Sequence, residues 1–113
     1  MDLQIVIKNS TLVVRPSGEI DLAVTDILRK SLDMELNNNP EVKNIIINLG
    51  GVTYIDSSGL GVILGRYRRI SRCGGKMFIV GAAPNIRNIL EISGLLNIME
   101  ECPTEESALS LAV

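Results

Sequence analysis

The residues best placed to do chemistry in this chain are the run Asp56-Ser57-Ser58-Gly59, the glycines of Gly59-Leu60-Gly61 and Gly65, the cluster Arg66, Arg68, Arg69 and Arg72, and the thiols of Cys73 and Cys102. A serine between an acid and a glycine suggests a nucleophile. However, Ile55 stands where a nucleophile elbow needs glycine, and the chain has no histidine to take the hydroxyl proton. That same zero removes Ser-His-Asp and Cys-His catalysis, histidine-containing zinc sites and imidazole pH switching. The glycines spell GxGxxxG, a loose relative of the dinucleotide fingerprint. They fall inside a helical pattern rather than on a strand-to-helix turn, and the following strand, ending at Val80, closes without a ribose-binding acid. Close packing of a helix on a sheet through Gly61 and Gly65 is the expected use of the missing side chains. The cysteines show no CxxC spacing and read as ordinary thiols of a reduced protein. The arginines read as the solvated end of a helix whose dipole favours cations there.

What remains is the hydroxyl pair. Asp56, Ser57 and Ser58 are all good helix starters, so the plain reading is a redundant N-cap. The functional reading is a hydroxyl open to modification. If Asp56 caps, Ser57 is the first helical residue and points to solvent. A phosphoryl group there adds about −1.5 to −2 charges at the positive end of a helix dipole, which tolerates anions. Asp21, Thr25 and Asp26 are expected caps of an earlier helix; they flank Ser57 if neighbouring strands bring both helix starts to one sheet edge.

The elements that must position these residues follow from periodicity. Leu3 to Ile7 and Thr11 to Arg15, joined by Asn9-Ser10, predict a β-hairpin that Pro16-Ser17-Gly18 interrupts or ends. Asp21 caps a helix carrying Val24, Ile27, Leu28, Leu32 and Leu36 inward and stopping at Asn37-Asn38-Asn39-Pro40. The unbroken apolar run Ile45-Ile46-Ile47 marks a strand covered on both faces. After it, Val52 to Ile55 cross the strand end, and a helix runs from Ser57 to Arg72 with Leu60, Ile63, Leu64, Tyr67 and Ile70 inward. Gly74-Gly75 stop it ahead of a buried strand, Lys76 to Val80. Pro84 opens a third helix ending at Gly94, Ile98-Met99 form a short edge strand, and Thr104 caps a last helix through Leu111. The sum is a single α/β domain over residues 1–113, with a mixed β-sheet, an N-terminal hairpin and about four α-helices; function is expected where strands deliver their carboxyl ends.

Composition narrows the partners. At 113 residues, folding buries about two-thirds of the unfolded surface, enough for one core. A net charge of −2 and only three aromatic side chains, Tyr54, Tyr67 and Phe78, argue against nucleic acid. The start Met1-Asp2-Leu3-Gln4 lacks a signal-peptide pattern and no apolar run nears the ~20 residues of a membrane span, so a cytoplasmic protein is expected.

The run Ile55-Asp56-Ser57-Ser58-Gly59-Leu60-Gly61-Val62-Ile63-Leu64-Gly65-Arg66-Tyr67 closely resembles the signature of the bacterial anti-sigma factor antagonists of the STAS domain family. The likeness extends to Ser17-Gly18-Glu19-Ile20-Asp21, Asn48-Leu49, Gly74-Gly75 and Ile92-Ser93-Gly94-Leu95, covering essentially the whole chain, and Gly65-Arg66-Tyr67 looks most like the sporulation branch. The resemblance implies a STAS-type fold and a binding protein with no catalysis and no cofactor of its own. It also implies that the unmodified form binds an anti-sigma factor that is a serine kinase, freeing the sigma factor. That kinase phosphorylates Ser57 and so ends binding, and a PP2C-type phosphatase reverses the mark. Asp21, Thr25, Asp56, Ser57, Ser58, Gly59, Leu60 and Gly61 are the implied partner contacts. The chain differs from its relatives in Leu22-Ala23-Val24-Thr25, where polar residues are common. STAS-like folds also occur on transporters and sensors, so a small-ligand or nucleotide-binding sensor domain is the alternative; scarce aromatics speak against a dedicated apolar pocket.

Overall fold

A computed structural model describes residues 1–112. Strands β1 (Asp2–Lys8) and β2 (Thr11–Ile20) lead to α1 (Leu22–Asn38), then β3 (Asn44–Asn48), β4 (Gly51–Ile55), α2 (Ser57–Ser71), β5 (Met77–Val80), α3 (Pro84–Ile92), β6 (Glu100–Cys102) and α4 (Glu105–Leu111). One sheet holds them in the order β1-β2-β3-β5-β6, with β4 also paired to β2. Among the described residues, only β1 and β2 are antiparallel. Their two-residue turn has Asn9 and Ser10 both at positive φ, 50° and 65°, whose backbone twist suits the strands it joins.

The central strands are buried on both faces, as an unbroken apolar run requires. Ile45 and Ile47 pack with Leu28, Leu32, Val62, Ile63, Ile86 and Leu90, under α1, α2 and α3. Ile46 turns the other way, onto Val13, Phe78 and Ala108 of α4. Three-to-four spacing gives α1 its buried line, Thr25, Leu28, Leu32 and Leu36. Ile27, expected on that line, is 62% exposed: the line passes through Thr25, two positions before it, and Leu28, one after.

Three local expectations change. Pro16-Ser17-Gly18 do not end the second strand. β2 passes from β3, its partner up to Val14, to β4, its partner from Ser17, and Pro16, paired with Leu3 of β1 on its other side, falls in that hand-over, where β2 has neither β3 nor β4 as partner. Val52 to Ile55 do not merely cross a strand end but form β4, parallel to β2. Its register steps from Gly18↔Val52 to Glu19↔Tyr54, leaving Thr53 as the extra residue of a bulge. Val52 and Ile55, three apart, thereby join the same core cluster, where regular alternation would send them to opposite faces. The last strand begins at Glu100 rather than Ile98, because Leu95–Asn97 form a 3₁₀ turn. The amides of Ile98 and Met99 donate to the Leu95 carbonyl at 3.2 and 3.0 Å and are not free for a ladder.

Two polar clamps hold α4 alone on its face. Asn44 donates to the Ala112 carbonyl at 2.8 Å and accepts from the Lys76 amide at 2.9 Å. At the other end, Arg15 Nε and Nη2 grip the Glu105 carboxylate at 2.8 Å each, and Asn48 Nδ2 donates to it at 2.7 Å. Arg15 foremost, then Asn48, hold the Glu105 carboxyl down at about 2 from an ordinary 4.5, against the opposing pull of desolvation. A carboxyl held low in the folded state contributes its full stability above the unfolded value and loses it on acidification. Glu105→Gln is therefore expected to cost about 1–3 kcal/mol at pH 7 in urea unfolding. The gap from the parent chain should close between pH 4.5 and about 2. A gap unchanged over that range contradicts the clamp.

Candidate functional site

Parallel pairing of β2 and β4 in the register Ile20↔Ile55 brings two helix starts to one edge of the sheet. Asp21 leaves β2 extended and caps α1, accepting from the Ala23 amide at 3.0 Å. Asp56 leaves β4 in the same way and caps α2, its Oδ1 accepting from the amides of Ser58 and Gly59 at 2.9 and 3.1 Å. Its second oxygen, Oδ2, accepts from the Leu22 amide at 3.2 Å. One carboxylate thus serves the first turns of both helices. The Asp56 carboxyl lies below its usual range, held there first by the Ser58 hydroxyl and further by the three amides, with desolvation opposing. With four donors on its two oxygens, it is a cap rather than a base for a neighbouring hydroxyl.

The same geometry separates the two serines. Ser58 Oγ donates to Asp56 Oδ1 at 2.5 Å and is half-buried. Ser57, the first residue of α2, is exposed, and its hydroxyl has no hydrogen-bond partner among the described residues. A group approaching from solvent meets Ser57 unencumbered.

Around it the expected contacts divide. Gly61 is exposed and Leu60 half-buried against the core. Thr25 is 7% exposed and turned inward, its hydroxyl near the Leu22 carbonyl at 3.4 Å, so it steadies the first turn of α1 instead of meeting solvent. Gly59 is also buried, and here the glycine expectation is corrected. A Cβ at Gly59 would lie 2.8 Å from Ile55 Cγ1 and 2.9 Å from Ile20 Cγ2, whereas at Gly61 and Gly65 it would meet nothing within 4 Å. Close packing of α2 on the sheet therefore passes through Gly59, in the first turn, and the later two glycines face open space. Leu22, noted in the sequence only as a departure from relatives and not among the expected contacts, is 76% exposed beside Asp56. Its signal was its place: an apolar residue directly after a cap precedes the inward stripe.

The arginine cluster divides as well. Arg66 Nε lies 3.2 Å from Asp33 Oδ1, and Arg69 reaches Asp33 at 3.6 Å and Asn37 Oδ1 at 2.7 Å, tying α2 to α1. Arg68 and Arg72 are exposed.

The STAS domain family matches residues 2–108. The chain is 38% identical to an anti-sigma F factor antagonist of Paenibacillus polymyxa, over 97% of this chain and 95% of that one. Among solved structures, it is similar to the anti-sigma factor antagonist SpoIIAA in its unphosphorylated form, with a TM-score of 0.84, 29% identity, and 97% and 95% of the two chains covered. The Bacillus cell fate determinant SpoIIAA in the phosphorylated form gives a TM-score of 0.77 at 28% identity, covering 99% of this chain and all of that one. The chain belongs to the STAS domain family, and its fold is that of SpoIIAA.

The three glycines of α2 should respond oppositely to a methyl group. Gly59→Ala is expected to destabilise by about 1–3 kcal/mol through overpacking. Gly61→Ala and Gly65→Ala, which relieve a helical glycine in open space, should each stabilise by about 0.5–1 kcal/mol. Thermal and urea unfolding read both signs, and a tolerated Gly59→Ala would contradict the close approach.

Proposed function

We propose that this chain is an anti-sigma factor antagonist whose unmodified form binds an anti-sigma factor that is also a serine kinase, releasing the sigma factor. Phosphorylation of Ser57 by that kinase ends binding, and a PP2C-type phosphatase restores it. The observation that carries this reading is the free, exposed Ser57 hydroxyl at the shared start of two helices, beside a Ser58 whose hydroxyl is already bound to Asp56. It is supported by family membership and by likeness to proteins named for anti-sigma antagonism, one of them solved in a phosphorylated form.

The docking face of this reading comprises Asp21, Leu22, Asp56, Ser57, Ser58, Leu60 and Gly61, with Thr25 and Gly59 shaping it from below. Moving a complex from 99% bound to 99% free requires the phosphate to weaken it by about 5.5 kcal/mol. A charge at the rim of an interface acts mainly on encounter, so the phosphate must act near the centre, where desolvation and like-charge repulsion are large. The scaffold tolerates the modification, because the phosphate falls at the positive end of the α2 dipole.

Incubation with the anti-sigma factor of the same cell and ATP should place label on Ser57. Ser57→Ala should remain bound and unlabelled. Ser57→Asp should bind at least tenfold more weakly in calorimetry while melting within a few degrees of the parent chain. Label on Ser58, or unfolding by either substitution, contradicts the reading.

A further inference from the structure

We propose that the docking surface continues from Ser57 along the outer face of α2 to Arg68 and Arg72, and that it receives an acidic surface of the same anti-sigma partner. The inference rests on the antagonist reading and adds to it the chemistry of the partner's contact.

Positions 57, 61, 65, 68 and 72 recur at three-to-four spacing and share one side of the helix, opposite the line of Gly59, Val62, Ile63 and Ile70 that faces the core. Ser57, Gly61, Arg68 and Arg72 on that side are exposed. Between the serine and the arginines, the would-be Cβ positions of Gly61 and Gly65 are in open space. A partner surface can lie flat against the backbone there and touch both ends.

The charges show what kind of surface fits. Two of the four arginines are used inside the molecule, Arg66 and Arg69 on Asp33. Among the described residues, Arg68 and Arg72 meet no carboxylate, although acidic residues outnumber basic ones, 13 to 11. The helix dipole accounts for cations at this end of α2. It does not account for two of them standing unpaired on the same side as Ser57.

Eleven residues of helix separate Ser57 from Arg68, about 16 Å at 1.5 Å per residue. That is about twice the screening length at physiological salt, so these arginines cannot neutralise a phosphate on Ser57. An acidic partner surface over Arg68 and Arg72 is thus attracted at one end of the strip in either state of Ser57, while phosphate acts at the other end, where it adds its charge beside Asp21 and Asp56.

The test is the affinity of the unmodified chain for its anti-sigma factor at 50 and 300 mM KCl. The double variant Arg68→Glu/Arg72→Glu should bind at least tenfold more weakly at low salt, with a flattened salt dependence. Arg68→Lys/Arg72→Lys should stay within about threefold of the parent, and Lys8→Glu, at the β1–β2 turn, should leave binding unchanged. If charge reversal impairs folding, Arg68→Gln/Arg72→Gln carries the test, with a smaller loss of the same sign. Parent-like affinity and salt slope in the arginine variants, with Ser57→Asp still releasing the partner, overturns this inference and leaves the antagonist reading standing. A loss equal at both salt concentrations overturns the acidic surface. Failure of the parent chain to bind its anti-sigma factor removes the antagonist reading and this one together.

Discussion

One carboxylate organises the edge of this molecule where two helices start. Asp56 bonds the first amides of its own helix with one oxygen and reaches across to the Leu22 amide of α1 with the other. Helix starts leave amides without intrahelical partners, and a shared acceptor answers part of that need for two helices at once. It also fixes their relative height on the sheet edge. The bond exists because β2 and β4 end in register at Ile20 and Ile55, a register reached through the bulge at Thr53. Ser57 is presented by this arrangement, and Ser58 is retired by it.

The scaffold behind the edge is tightly held. Central strands buried on both faces, a helix closed down on Gly59 and a last helix clamped at both ends leave little slack. A switch that works by charge at an interface needs such a base, since a phosphate that also loosened the fold would alter stability and binding together. The proposed strip along α2 follows the same logic, with bare glycines offering approach and unpaired arginines giving it a sign.

Much of this was legible in the residues. Caps at Asp21, Asp56 and Thr104, the β-branched core strand and the Asn9-Ser10 turn are local signals, and local chemistry decides them. Ser57 could be read as a modifiable hydroxyl, but the sequence could not separate it from Ser58, whose bond to Asp56 appears only in three dimensions. The close-packed glycine was misplaced for a similar reason: which of Gly59, Gly61 and Gly65 faces the sheet depends on rotation about the helix axis, set by Ile20 and Ile55 beneath it. The strand at β4 was hidden by its bulge, which breaks the period-two pattern by which strands are recognised. The grip of Arg15 and Asn48 on Glu105 joins residues far apart in the chain, and no spacing rule announces it.

The central claim is that phosphate on Ser57 acts on a partner and not on the scaffold. The most direct measurement is an amide NMR spectrum of ¹⁵N-labelled chain, stoichiometrically phosphorylated at Ser57 and then titrated with its anti-sigma factor. The account predicts shifts confined to Leu22 and residues 56–61, core amides such as Ile46 and Phe78 unmoved, and no further change on titration. Shifts spreading through the core, or a phosphorylated chain that still binds, would contradict it.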